Sequence, residues 1–204
     1  YVAMGRHPVV WCPKCESPTG DHDRLVGEGV SPEEYTLVYF RIEEYDAYLA
    51  AATLRPETIF GVTNIWVNPN SVYVLIEADG RRLIVSREAA EKLKHQMKVR
   101  ILKELKADEL IGKYAETPIT GTRTPILPAD LVDPRFGSGV VYSVPAHAPY
   151  DYAGLIALRR DGERLRRYGL KELVESIKPI SIIRVPGYGE YPAVEEVERL
   201  KITS

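Results

Sequence analysis

The stretch "SVYVLIEADGRRLIVS", residues 71–86, narrows the possible folds more than any other part of the chain. β-Branched and aromatic residues fill both halves, with Asp79-Gly80 between them. That dipeptide tolerates positive φ at both central positions of a tight turn, so the segment predicts a hairpin. Runs of the same kind recur as "YTLVYFRI", "YLAAATL", "KVRILKEL" and "GSGVVYSVPAH". Helical signals are fewer. Ser86 is placed to cap "REAAEKLKHQM", and Pro149 to open a helix through "YAGLIALRRDG". Short α and β segments follow in "GLKELVESI", "ISIIRVPG" and "AVEEVERLK". Strands and helices do not alternate regularly, which argues against a doubly wound parallel sheet. The expected fold is α+β, mainly β: a closed β-barrel core decorated by several helices. Residues 1–30, dense in Pro, Gly and Asp, read as a linker with a knuckle, and residues 31–204 as the main domain.

The bulk numbers exclude some function classes. Of 204 residues, 45% are hydrophobic and 27% charged, as in a soluble globular chain. A net charge of -2 supplies no global basic field for nucleic acid, so any such contact needs a local patch. No apolar run approaches the ~18 residues that suggest a membrane span. The N-terminus has neither methionine nor the features of a signal peptide, so an excised piece of a longer protein is expected. Two cysteines three apart do not form a disulfide framework, which places the chain in a reducing, cytoplasmic compartment.

Two segments concentrate polar side chains beside strands. "AATLRPETIFG", residues 51–61, groups Thr53, Arg55 and Thr58 at a strand end. "GSGVVYSVPAHAPYDY", residues 137–152, runs from an apolar strand through His147 to Asp151 in a first helical turn. Each has an ordinary reading. Thr53 fills a strand position, Asp151 complements a helix dipole, and His147 is a polar loop residue. Tyr142 and Val144 point the same way by alternation, as core or as the wall of a pocket.

Together the two segments resemble the editing domain inserted into the class I aminoacyl-tRNA synthetases for leucine, isoleucine and valine. The leucine branch of archaeal and eukaryotic type fits best, on "AATLRPETIFGVTNIWVNP" and "CPKCESPTGDHDR". The resemblance spans roughly residues 8–200. It implies a proofreading hydrolase within a leucine–tRNA ligase. Such a domain deacylates tRNA(Leu) carrying isoleucine, valine or norvaline and spares Leu-tRNA(Leu). The alternatives are the equivalent domain for valine or isoleucine, or a non-catalytic zinc-ribbon module that binds tRNA.

The resemblance also implies roles. Thr58 is the steric gate against leucine. Thr53 and Arg55 line the reacting ester and the terminal adenosine, with Thr53 steadying the oxyanion. Asp151 anchors the substrate α-ammonium. Tyr142, Val144 and His147 are candidates for substrate contact, and His147 is a lesser candidate for general base. Ala148 and Pro149 occupy a stretch where bacterial relatives carry an acidic residue, and Leu54 stands where they carry a second threonine. Roles for those groups do not transfer. The chemistry needs such a sieve because one methylene is worth only about 1–3 kcal/mol, roughly 10 to 200-fold, in a hydrophobic pocket.

Editing itself implies no cofactor; ATP and magnesium belong to the parent synthetase. Cys12-Pro13-Lys14-Cys15 has the spacing of a metal knuckle, with His22 nearby, and so is a candidate half of a structural zinc site. Arg159, Arg160, Arg164, Arg166 and Arg167 form a basic run that reads as a solvated face or as a contact for tRNA phosphate. The expected partners are the acceptor end of tRNA(Leu) and the rest of the parent synthetase. The expected state is a monomer without membrane attachment.

Overall fold

The computed structural model describes residues 2, 4, 9–20 and 33–202. The chain divides into two compact units, Tyr1–Tyr35 and Thr36–Ser204. In the first, β1 (Trp11–Cys12) pairs antiparallel with β2 (Ser17–Pro18), and the cysteine knuckle makes the turn. Glu16 adopts a left-handed φ of 51° there. The Cys15 backbone N–H donates to Cys12 Sγ at 3.4 Å. That bond holds the Cys12 thiol below its ordinary pKa, while the hydrogen bond to Cys12 raises Cys15. His22 lies outside the described residues.

The second unit is built on the strand runs. β3 (Thr36–Ile42) and β4 (Ala47–Thr53) form an antiparallel hairpin, in register from Thr36↔Thr53 to Ile42↔Ala47. A 3-10 turn, Pro56–Gly61, leads from β4 to β5 (Asn64–Val67). β6 (Val72–Ala78) and β7 (Arg81–Ser86) make the hairpin expected at Asp79-Gly80. Both turn residues have positive φ, 47° and 75°. α1 (Arg87–Leu93) starts where expected, with Ser86 Oγ accepting from the Ala89 N–H at 3.0 Å. β8 (Val99–Lys106), β9 (Tyr114–Glu116), β10 (Arg123–Pro128) and β11 (Val140–Ser143) complete the sheet. Four helices follow: α2 (Pro149–Arg160), α3 (Gly162–Tyr168), α4 (Lys171–Ser176) and α5 (Pro192–Arg199).

Among the described residues this sheet has nine strands in the order β11-β5-β10-β9-β3-β4-β7-β6-β8. It is mixed, with β4–β7 and β5–β10 parallel. The fold is α+β, but the expected closed barrel is wrong: the edge strands β11 and β8 do not pair with each other. The reason lies in the edges. β8 is exposed from Arg100 to Glu104 and carries charged side chains along that length, as an edge strand in water does. β11 is four residues long and comes close to β4 without joining its ladder. A side chain bridges that gap instead, with Ser138 Oγ accepting from the Ala52 N–H at 3.0 Å.

Alternation along β6 and β7 buries both of their faces. Tyr73, Leu75 and Ile84 join the main core with Phe40, Trp66, Ile126 and Leu155. Val74, Ile76, Leu83 and Val85 form a smaller core that includes Ala89 and Ala90 of α1. The expectation of an element at "ISIIRVPG" fails, because residues 177–191 run as an irregular strap with neither helix nor strand. No helix among the described residues is long and apolar enough to cross a membrane.

Candidate functional site

The Pro56–Gly61 turn that follows β4 and the strand β11 meet through side chains 84 residues apart in sequence. Thr53, the last residue of β4, folds its hydroxyl back so that Oγ1 accepts from the Arg55 N–H at 3.0 Å. This fixes the turn into the Pro56–Gly61 segment. The Arg55 carbonyl is close to three donors: the Thr58 N–H at 3.1 Å, Thr58 Oγ1 at 2.7 Å and the Tyr142 hydroxyl at 3.0 Å. Tyr142 Oη also lies 3.0 Å from Thr58 Oγ1. A carbonyl offers two lone pairs. Two chains satisfy every group: Tyr142 donates to Thr58 and Thr58 to Arg55, or Thr58 donates to Tyr142 and Tyr142 to Arg55. In either case the Thr58 hydroxyl is committed to the protein.

The Arg55 guanidinium points away from this cluster. It is exposed and pairs with Glu57 at 2.8 Å. An exposed pair of this kind is weak and readily exchanged for another anion.

Tyr142 and Val144 are both buried, as core residues are, and both touch the threonine segment. Tyr142 reaches Thr58, and its ring lies 5.7 Å from that of Phe40. Val144 lies against Gly61, where an added Cβ would come within 2.9 Å of Val144 Cγ1. The same Cβ would stand 3.4 Å from the Ile180 carbonyl and from Ile182 Cγ2. The strap therefore backs the threonine segment, and a side chain at position 61 would push the two apart.

His147 holds that strap. Its Nε2 accepts from the Ile182 N–H at 2.9 Å, which leaves Nδ1 to carry the ring proton. Nδ1 is buried without a partner among the described residues. Burial also lowers the pKa of His147. With one nitrogen occupied and the other protonated, the imidazole has no free lone pair for general-base work.

Asp151 sits in the first turn of α2, only 7% exposed. Its Oδ2 accepts from the Val144 N–H at 2.8 Å, so the carboxylate is anchored at the end of β11. Burial raises its pKa from 3.8 to about 6, opposed by the Val144 N–H and by the Trp66 indole. At neutral pH the group is ionised at a cost on the order of 3 kcal/mol. A buried carboxylate with no cationic partner among the described residues is suited to receive a cation from outside.

The arginine run divides. Arg159 donates to the Val174 and Ile177 carbonyls at 3.3 and 2.7 Å, closing the end of α4. Arg164 is held by Asp130 and Asp161. Arg167 pairs with Asp108 at 2.8 Å but stays largely exposed, and Arg160 and Arg166 are exposed. Arg159 and Arg160 stand roughly 12–14 Å along the helix from Asp151. Sequence reading gave no role to Trp66, Gly61 or the strap; the first two lie within the quoted stretch 51–69, but their apolar or absent side chains carry no chemical signal. Among the described residues no group of three or more metal-ligating side chains comes together.

The comparisons agree with this geometry. Residues 33–156, which include the threonine segment and Asp151, match the family model described as "Leucyl-tRNA synthetase, editing domain". The chain is 49% identical over 202 residues to the leucine–tRNA ligase of Methanothermobacter thermautotrophicus, covering 98% of this chain and 21% of that protein. It is 49% identical to the enzyme of Methanopyrus kandleri over 205 residues, covering 100% and 22%. It thus spans about a fifth of these curated relatives. The crystal structure of GlLeuRS-CP1 matches with a TM-score of 0.73 at 29% identity, over 82% of this chain and 78% of that one. The P. knowlesi cytosolic leucyl-tRNA synthetase editing domain has the same fold, with a TM-score of 0.73 at 21% identity, over 84% and 78%. A threonine segment locked to β11, a buried carboxylate at the strand end and a family match spanning both lead to one conclusion: the chain belongs to the leucyl-tRNA synthetase editing-domain family.

Proposed function

We propose that this chain is the hydrolytic proofreading domain of a leucine–tRNA ligase, clearing isoleucine, valine or norvaline from tRNA(Leu) and sparing leucine. The observation that carries the reading is Asp151, a buried carboxylate fixed by the Val144 N–H beside the threonine segment. The family match removes the valine and isoleucine alternatives. Asp151 receives the substrate α-ammonium. The Thr58 methyl then meets the amino-acid side chain, with Tyr142 and Val144 as the adjoining wall.

Hydrolysis follows from positioning. A water attacks the ester carbonyl, assisted by the ribose hydroxyls of the terminal adenosine. The Thr53 oxygen already accepts from Arg55, so its own proton is available to the developing oxyanion. The Arg55 guanidinium exchanges Glu57 for a phosphate of the acceptor end. Arg160, Arg166 and Arg167 extend phosphate contact away from the site. The parent supplies ATP and magnesium chemistry elsewhere, and it contributes further ligands if Cys12 and Cys15 form half of a structural zinc site.

The test is single-turnover deacylation of Ile-tRNA(Leu) and Leu-tRNA(Leu) by the parent synthetase, wild type and Thr53→Ala. The wild type is expected to clear the first and spare the second. The variant is expected to slow the first by about a hundredfold, the scale of one lost oxyanion donor. Equal rates for the two proteins would remove Thr53 from the mechanism. If neither ester is cleaved, a non-catalytic tRNA-binding module becomes the better reading.

A separate expectation concerns His147. His147→Ala should slow deacylation less than about tenfold and leave the shape of the pH–rate profile unchanged. It should cost about 1–2 kcal/mol in a thermal or urea melt, because the Ile182 N–H loses its acceptor. Loss of a limb of the pH profile would restore the imidazole as a base.

A further inference from the structure

Trp66 is fully buried, and its indole Nε1 makes no hydrogen bond of ordinary geometry among the described residues, although it stands near enough to Asp151 to hold that carboxyl's pKa down against burial. Leaving a buried N–H unpaired costs about 1–3 kcal/mol, so the arrangement needs a physical reason. The indole lies under α2. A Cβ built on Gly154 would stand 3.7 Å from Trp66 Cζ2 and 4.0 Å from Cε2, the carbon bonded to Nε1. Gly154 and Asp151 are three apart on this helix and share a face. The N–H edge of the ring therefore lies beneath the turn that carries the Asp151 carboxylate. An indole can only donate, and an ionised carboxylate can only accept. Of the two carboxylate oxygens, Oδ2 is engaged by the Val144 N–H.

We propose that Trp66 is a positioning residue for Asp151, its indole N–H closing onto the carboxylate as a second donor when that group is ionised. The inference rests on the reading of Asp151 as the ammonium anchor. Held from β11 by Val144 and from β5 by Trp66, the carboxylate keeps one orientation and a charge ready for the substrate. Trp66 would touch Asp151 and not the reacting ester.

Among the described residues, the charged and titratable groups around this helix are engaged elsewhere. From α5, Glu198 accepts from the Tyr152 hydroxyl at 3.3 Å. Arg159 is spent on the end of α4, and His147 on Ile182. Among the described residues, burial raises the Asp151 pKa and the Val144 N–H and the Trp66 indole lower it.

The chain has two tryptophans, Trp11 and Trp66, so its indole N–H resonances are simple to follow by 15N NMR. The Trp66 resonance is expected to titrate with a midpoint near that of Asp151, about 6, and to stay fixed in Asp151→Asn. Trp66→Phe keeps the aromatic packing and removes the donor. It is expected to move the acid limb of the deacylation profile up by about one pH unit. At pH ~5.5 kcat/KM then falls about tenfold, and at pH ~8 it stays within about twofold of wild type. An indole resonance that is flat while the Asp151 carboxyl carbon titrates overturns the proposal. So does a folded Trp66→Phe protein with an unmoved acid limb. Should Trp66→Phe not fold, the wild-type titration decides alone. An indole that titrates in a protein without deacylation would uphold the Trp66–Asp151 pairing and sink the functional reading.

Discussion

Asp151→Asn is expected to abolish deacylation of Ile-tRNA(Leu), by at least about a hundredfold in kcat/KM, while the protein remains at least as stable at neutral pH. Both halves follow from burial. The asparagine side chain keeps an oxygen for the Val144 N–H, so the anchor at the end of β11 survives. It carries no charge, so it cannot neutralise the ammonium of a bound ester. Removing one partner of a buried ion pair costs about 3–5 kcal/mol, which is more than a hundredfold. Stability moves the other way. The folded-state carboxyl keeps its proton up to about pH 6, whereas an unperturbed one releases it near 3.8. Between those values the folded state binds the extra proton, so wild-type stability falls as pH rises through the window. Above it the cost is complete. Thermal melts should show the variant gaining a few degrees on the wild type between pH 4 and 6, and holding that lead at pH 7. A variant that still clears Ile-tRNA(Leu) within tenfold, or one that melts well below wild type at pH 7, would sink this account.

The second large effect is expected at Thr58. Thr58→Ala should turn Leu-tRNA(Leu) from a spared ester into a substrate, raising its hydrolysis at least about tenfold, the scale of one or two missing heavy atoms in a pocket. On the proposed reading the methyl is the barrier, because the hydroxyl is held by Tyr142 and the Arg55 carbonyl. Thr58→Ser keeps the anchor, loses the methyl and should open the site about as far as alanine does. Thr58→Val keeps the shape and should still spare leucine in large part. Tyr142→Phe leaves the threonine held by the Arg55 carbonyl alone, so its rotamer is less firmly fixed and a severalfold leak of leucine is expected. Single-turnover assays on Leu-tRNA(Leu) check all four. If Thr58→Ala spares the leucine ester as wild type does, the gate lies on another residue.

Much of the local structure was legible because its causes are local. Asp79-Gly80 dictates a tight turn, Ser86 caps a helix through its own hydroxyl, and Pro149 opens one where its missing N–H does no harm. Closure of the sheet was not legible. Whether β11 and β8 meet depends on edges formed by strands far apart in sequence, and the charges along β8 were the clue that it stays open. The site divides in the same way. Thr58 and Asp151 stand in motifs, whereas Trp66 looks like any core aromatic until its unpaired N–H is seen beneath α2. His147 was offered as a base because a loop histidine invites that reading. Only the Ile182 N–H at 2.9 Å reveals that its lone pair is spent.

The hydrogen bond between Thr58 and Tyr142 has an evolutionary consequence. Two codons 84 positions apart specify a single structural character, the rotamer of one threonine. A drift at position 142 toward a residue without a hydroxyl alters the phenotype of position 58 before that codon changes. Selection for accurate translation then acts on the pair, and the fitness effect of either substitution depends on the other. Such epistasis is measurable as a double-mutant coupling of about 0.5–3 kcal/mol in leucine discrimination. Homologues that lack the tyrosine hydroxyl are expected to fix their gate with a different companion.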